Sequence, residues 1–77
     1  MTTIPLSEMS IGQKGLVYGL MGQGEVYHRL LEMGLTQGTA VEVVRFAPLG
    51  DPIDIKVRGY HLSVRRQEAD VIRVVIE

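Results

Sequence analysis

The stretch LLEMGLTQGTAVEVVRFAPLGDP, residues 30–52, decides the fold of this 77-residue chain. An apolar helical pattern stops at Gly34, where a glycine suits the left-handed residue that often ends a helix, and a strand rich in branched residues follows at 40–46. That strand leads into Ala-Pro-Leu-Gly-Asp-Pro, residues 47–52. Because its prolines fix φ and its glycine frees it, this loop is predicted to make one tight excursion.

The spacing of apolar residues also predicts helices and strands in the rest of the chain. Apolar residues at helical spacing predict an amphipathic helix over 25–33, and a polar run at 66–70 predicts a single helical turn. Near the start, residues 6–9 are predicted to form a turn that is capped by Ser7 and places Leu6 and Met9 on the body. Further strands are predicted at 16–21, with a bulge at Gly19, and at 53–58, 60–65 and 71–76.

Five short strands with one helix inserted after the first predict a mainly β protein. A small sheet of this kind hides its edges most simply by curling into a barrel. We therefore expect one domain over residues 1–77, folded as a small five-stranded SH3-like barrel with a short helical insertion after the first strand.

Composition narrows the classes of function. The chain has no cysteine, which excludes thiol catalysis and cysteine zinc sites and suits a reducing compartment. Eight Lys and Arg against nine Asp and Glu leave a net charge of −1, so no global field attracts nucleic acid or anionic lipid. Neither a membrane-spanning run nor a secretory leader is visible, and we expect a cytoplasmic protein without a cofactor.

Three segments together resemble the FeoA family: LLEMGLTQG at 30–38, VVRFAPLGDP at 43–52 and LSVRRQEA at 62–69. The resemblance extends from Leu6 to Val74. It implies a small accessory protein, not an enzyme, that docks on the cytoplasmic side of the ferrous iron transporter FeoB, peripheral to the inner membrane. By analogy the chain would modulate the transporter's assembly or GTPase cycle.

A similar SH3-like module ends the DtxR-type iron-dependent repressors, where it follows a winged helix and a dimerisation helix. A regulatory module related to that domain is therefore an alternative, and a nucleic-acid-binding small barrel is another. The second rests on arginines gathered in the last third of the chain, Arg58, Arg65, Arg66 and Arg73. Because acidic residues interleave with them and few aromatic residues could stack on bases, we expect no nucleic acid partner.

The docking hypothesis selects residues from the helix exit and from the proline loop. An apolar tip bracketed by Pro48 and Gly50 is preorganised for contact. Hairpin architecture and helix packing explain the same residues without a partner, and weak self-association is also left open. The predicted partner-binding residues are Leu31, Met33, Leu35, Pro48, Leu49, Gly50 and Asp51.

His28 is the centre of the one weak metal candidate. Glu25 and Glu32 lie three and four residues from it, which places all three side chains on neighbouring turns of the predicted helix. Dedicated transition-metal sites usually need three or four converging ligands, and such groups on an exposed helix are more often solvated. The sequence therefore predicts no dedicated metal site, and no nucleophile elbow or phosphate-binding motif is present.

Overall fold

The computed structural model describes residues 2–77. Within that range the chain forms one antiparallel sheet of six strands in the order β1-β6-β2-β3-β4-β5. The strands are β1 (Thr3–Pro5), β2 (Lys14–Leu20), β3 (Ala40–Phe46), β4 (Ile53–Val57), β5 (Tyr60–Val64) and β6 (Ile72–Ile76). A 3-10 turn (Leu6–Glu8) follows β1, helix α1 (Glu25–Glu32) follows β2, and the short helix α2 (Arg66–Asp70) follows β5.

The mainly β, SH3-like fold class is confirmed, with two corrections to the predicted sheet. It has six strands instead of five, because the three residues of β1 pair with β6. It is also not a closed barrel, since β1 and β5 lie at its two ends and do not pair with each other. The predicted helix and the helical turn before the last strand are both confirmed.

The core lies on one face of this sheet. Leu30 of α1 and Leu35 after it are fully buried there. Leu6 of the 3-10 turn and Met9 after it are buried as well, as predicted. The sheet contributes alternate residues of its strands: Val17, Val41, Val43, Ile53, Ile55, Val57, Val64, Ile72 and Val74. Burial of these branched side chains is the main favourable contribution to folding.

Ser7 does not cap the 3-10 turn. The residue that precedes this turn is Pro5, and no side chain caps it. Ser7 is buried instead, and its hydroxyl donates a hydrogen bond to the Asp70 carboxylate at the end of α2. A contact between residues 63 positions apart replaces the local bond expected from the sequence.

Strand β3 departs from simple alternation at Val44. The register against β4 shifts between Val43 and Arg45, so Arg45 points outward with Asp54 and Phe46 turns toward the core. Strict alternation along residues 40–46 would place Arg45 on the same face as Val43, and the bulge makes that interpretation of the sequence wrong. The bulge that was predicted, in β2 at Gly19, is confirmed by a register shift against β6 between Val17 and Gly19.

The outward side chain of Asp54 is the centre of a small polar cluster. It accepts hydrogen bonds from the Ser63 hydroxyl at 2.6 Å and from Nε of Arg45 at 2.7 Å. The Ser63 bond and then the Arg45 bond hold the pKa of Asp54 below its ordinary value of 3.8, because both stabilise the ionised carboxylate.

Gly15 allows β2 and β6 to approach closely. A Cβ atom at this position would lie 2.6 Å from the carbonyl oxygen of Val75 and would also collide with a methyl group of Val74. Gly19 in the same strand has open space around the equivalent point. The close approach at Gly15 therefore depends on the absence of a side chain.

Replacing Gly15 should destabilise the protein more than replacing Gly19. We expect Gly15→Ala to lower the free energy of unfolding by about 1–3 kcal/mol, the usual cost of overpacking. Gly19→Ala is the matched control and should be close to neutral. Urea denaturation of both variants measures the difference, and equal midpoints would contradict the close approach of β2 and β6.

The Asp54 cluster gives a pH dependence with a definite sign. Because the folded pKa is lowered, its contribution to stability is fully present above about pH 4 and is lost as the pH falls through the folded value. Ser63→Ala removes the largest cause, so the pKa of Asp54 should move upward in that variant. Carboxyl NMR titration of both proteins tests this, and an unchanged pKa would refute the assignment.

Candidate docking surface

Helix α1 ends in a Schellman closure built by Gly34 and Leu35. The N–H of Gly34 donates to the Leu31 carbonyl at 3.0 Å, and the N–H of Leu35 donates to the Leu30 carbonyl at 3.1 Å. Gly34 has a φ of +89°, which an L side chain rarely adopts. The helix end and the chain reversal are therefore set together, as the sequence predicted.

This closure removes Leu35 from the predicted docking set. Its side chain is fully buried in the core, so a partner at the surface cannot contact it. Met33 is partly buried against the same core, and its carbonyl accepts a hydrogen bond from the Tyr60 hydroxyl at 2.9 Å. Of the three helix-exit residues, Leu31 is half-buried and the one that the core cluster does not include.

The loop after β3 presents the most exposed large apolar side chain of residues 2–77. Leu49 is 96% exposed at its tip. The N–H of Gly50 donates to the Ala47 carbonyl at 2.7 Å, which closes a β-turn with Pro48 in its second position. A further bond from the Ala47 N–H to the Pro52 carbonyl closes the base of the loop. Leu49 is therefore held out from the surface by a constrained backbone.

Helix α2 connects this loop to helix α1. The Asp51 carboxylate accepts a hydrogen bond from the backbone N–H of Arg66 at 3.2 Å. The buried Glu68 carboxylate accepts from the backbone N–H of Arg65 at 2.8 Å and forms an ion pair with Arg29 of α1 at 2.6 Å. We call these contacts the α2 junction. Asp51, predicted to meet a partner, thus also has a structural role inside the chain.

Two exposed apolar residues near α1 were not predicted. Met21 follows β2 and is 58% exposed, and Val26 lies in the first turn of α1 and is 44% exposed. Val26 is one of the apolar residues whose helical spacing predicts the amphipathic helix over 25–33, as is the buried residue Leu30. Position 26 is four residues before 30, but it lies at the open end of the helix, and no pattern within α1 shows where the core ends.

The weak metal candidates do not form a metal-binding group. Within residues 2–77 no cluster of three or more His, Asp or Glu side chains is arranged to hold an ion. His28 contacts Tyr27 edge to face, with ring centroids 5.6 Å apart. Glu25 and Glu32 are exposed at opposite ends of α1.

The arginines of the last third do not gather on one surface. Arg58 lies in the turn between β4 and β5 and donates to the hydroxyl of Thr39 at 3.3 Å. Arg65 and Arg66 lie beyond the opposite end of β5. Arg73 of β6 donates to the carbonyl of Thr3 in β1 at 2.8 Å. A cluster in the sequence is therefore separated in space.

None of the described helices combines the length and the apolar character that crossing a bilayer requires.

The architecture places the chain among SH3-like proteins. It is similar, at 27% identity and a TM-score of 0.76, to the zinc-complexed FeoA of Stenotrophomonas maltophilia, described as a procaryotic SH3 domain protein. That alignment covers 100% of this chain and 91% of the other. IdeR of T. acidophilum shares the fold at 14% identity and a TM-score of 0.88, over 100% of this chain and 35% of that one.

The FeoA domain model matches residues 4–76, and the chain belongs to the FeoA family. The FeoA-like protein of Clostridium acetobutylicum is 39% identical, with a TM-score of 0.92 over 99% of this chain and 90% of that one. A fusion of Fe(2+) transport protein A with the Fe(2+) transporter FeoB from Porphyromonas gingivalis is 38% identical over 69 residues. The match covers 90% of this chain but spans only 8% of that relative's length.

The α2 junction predicts a cost for removing the charge of Glu68. Glu68→Gln keeps an oxygen for the Arg65 N–H but leaves Arg29 without its carboxylate. We expect it to lower the free energy of unfolding by about 1–2 kcal/mol, at or below the ~1.5–3 kcal/mol of a hydrogen bond to a charged group, because the Arg29 side chain is 58% exposed to solvent. Glu32→Gln on exposed α1 surface is the control. If thermal unfolding shows the same stability for both variants, the junction does not hold the helices together.

Proposed function

We propose that this chain is a non-catalytic accessory protein of ferrous iron uptake that docks on a FeoB-type transporter and modulates its assembly or GTPase cycle. The observation that carries this proposal is the Porphyromonas gingivalis relative, in which a segment 38% identical to this chain is fused to FeoB. Fusion keeps two proteins at a high effective concentration, which is useful when they act on each other. Docking would place the chain at the cytoplasmic side of the membrane.

The rigid loop after β3 supports a role in docking. A fully exposed leucine gains nothing from hydrophobic burial within the chain, whereas burial against a partner would contribute about 1.5–3 kcal/mol. The turn and the loop base restrict the backbone on both sides of Leu49, so little conformational entropy is lost on contact. Pro48 and Gly50 belong to this surface because they set the position of its tip.

Leu31 is the helix residue that fits the same proposal. It is half-buried and lies on α1, which the α2 junction connects through Arg29 and Glu68 to the loop at Asp51. A partner that contacts both elements would meet two parts held in a fixed relation by α2. Met33 is partly buried against the core, so in this proposal it mainly holds the end of α1 in position and contributes less direct contact with the partner.

Loss of the apolar tip should weaken the complex. We expect Leu49→Asp to lower affinity for a FeoB-type transporter by about tenfold or more, because a carboxylate replaces an apolar contact and resists desolvation. Co-purification of the tagged chain with the transporter, followed by titration of the purified partners, measures the effect. Leu16→Asp adds the same charge to another exposed apolar site, on the outer face of β2, and should bind like the wild type.

Two results would contradict the proposal at different levels. Failure of the wild-type chain to bind the transporter would remove docking altogether. Wild-type affinity in a folded Leu49→Asp variant would leave docking intact but exclude the loop from the interface.

A further inference from the structure

Strand β5 is an open edge of the sheet, and its unpaired backbone groups can be identified from the turn before it. Arg58 and Gly59, both with positive φ, form a two-residue turn between the paired residues Val57 and Tyr60. Residues that flank such a turn exchange both backbone hydrogen bonds, and the pattern then alternates along the strand. Tyr60, Leu62 and Val64 therefore direct their N–H and C=O groups at β4.

The backbone groups of His61 and Ser63 consequently point away from the sheet. Within residues 2–77, β4 is the one strand that pairs with β5, and both residues are exposed. The other end of the sheet is less open, because β1 has only three residues and includes Pro5. A proline limits strand addition at that end, whereas β5 contains none.

The side chains of β5 define what could pair there. On the outer face lie His61, Ser63 and, just after the strand, Arg65, with Lys56 of β4 directly opposite His61. Neither Lys56 nor Arg65 takes part in the ion pairs found within residues 2–77, which join Arg29 to Glu68 and Arg45 to Asp54. Asp54 lies on the same face opposite Ser63, but its carboxylate is already bound by Ser63 and Arg45, so Lys56 and Arg65 are the charges of this edge that are available to a new strand.

The opposite face of the same edge is apolar. Leu62 is half-buried against the core, and Tyr60 remains 43% exposed. A strand that continues the sheet here would have apolar side chains facing inward beside Tyr60 and Leu62. Its alternate side chains would face outward beside His61 and Ser63 of β5, with Arg65 at the end of the edge and the long side chain of Lys56 one strand further in, so acidic residues are favoured there.

The geometry points to β5 as a site where an extended acidic segment of a partner protein adds to the sheet as a seventh strand. Backbone hydrogen bonds to His61 and Ser63 supply the pairing, and the cations of the outer face select alternating acidic residues. A second copy of this chain fits less well, because antiparallel pairing of two β5 strands brings Arg58 of one copy near Arg65 of the other. This inference is independent of the Leu49 surface and of the partner's identity.

A short capped peptide that alternates glutamate with valine tests the inference. The charge control is the same peptide with every glutamate replaced by lysine. We expect the acidic peptide alone to bind the full chain in fluorescence anisotropy, with NMR amide shifts centred on His61 and Ser63. Affinity should fall as salt is raised. Equal binding of both peptides, or no binding at low salt, would overturn the proposal.

Backbone hydrogen bonding between β5 and the peptide is tested by changing either the chain or the peptide. Ser63→Pro removes an outward N–H without removing a bond to β4, and it should weaken peptide binding at least about tenfold. Ser63→Ala loses the same hydroxyl but keeps that N–H, so it should bind the peptide at least about tenfold more tightly than Ser63→Pro. If the proline variant does not fold, an acidic peptide with alternate N-methylated residues gives the same test on the unmodified chain, and its undiminished binding would exclude strand addition.

Two further experiments test whether a nucleic acid or a second copy of this chain occupies the β5 edge instead of an acidic peptide. A single-stranded oligouridylate that displaced the peptide and shifted the same amides more strongly would identify a nucleic-acid surface and overturn the acidic-peptide assignment. Concentration-dependent dimerisation through β5 in sedimentation experiments would also overturn that assignment, because it would identify a second copy of this chain as the strand that pairs with β5.

Discussion

The buried carboxylate of Glu68 constrains the arrangement of both helices. A carboxylate taken out of water must be compensated by hydrogen bonds or an opposite charge, or it would cost several kcal/mol. Here the Arg65 N–H and the Arg29 guanidinium together supply that compensation, and they come from different elements. Helix α1 and the start of α2 therefore cannot separate without exposing or orphaning this group. Since α2 also binds the Asp51 side chain, the loop after β3 is included in the same arrangement.

The open sheet has two unlike edges, and this difference follows from how the chain ends its strands. Strand β1 ends at Pro5, where the 3-10 turn begins, so this edge is only three residues long. One of those residues, Pro5, has no backbone N–H to donate. At β5 the strand runs for five residues before Arg65 begins the cap of α2. Natural sheets commonly protect an edge with proline or charge, and here the two devices are divided between the two edges.

Local determinants explain which parts of the fold were predictable. The end of α1 was predicted correctly because Gly34 and Leu35 specify the Schellman closure within six residues. The outward turn of Arg45 was not, because the bulge at Val44 depends on register against β4. Strand β1 was missed since three residues carry too little periodicity to indicate a strand. Its pairing depends on β6, about 70 residues away, as shown by the Arg73 bonds to Thr3.

The candidate site shows the same difference between features set by local sequence, which could be predicted, and features set by tertiary packing, which could not. The exposed, constrained position of Leu49 could be predicted from the loop sequence alone, because prolines and a glycine around an apolar residue constrain the backbone whatever the rest of the fold does. Leu35 was assigned to the surface although its position after the helix cap also fitted the core, and only packing against the sheet decides between the two. The α2 junction could not be predicted, since Arg29 and Glu68 are 39 positions apart by their numbers and no local pattern pairs them.

An exposed leucine at a constrained tip is difficult to explain by stability alone. Burial of apolar side chains supplies most of the free energy of folding, and Leu49 at 96% exposure contributes almost nothing to it. Its turn would close equally well around a polar residue, because the bond from Gly50 to Ala47 involves only the backbone. Isolated exposed apolar residues are common on protein surfaces. What distinguishes Leu49 is the restricted backbone beneath it, since rigidity lowers the entropic cost of contact and offers no benefit to a side chain that contacts only water.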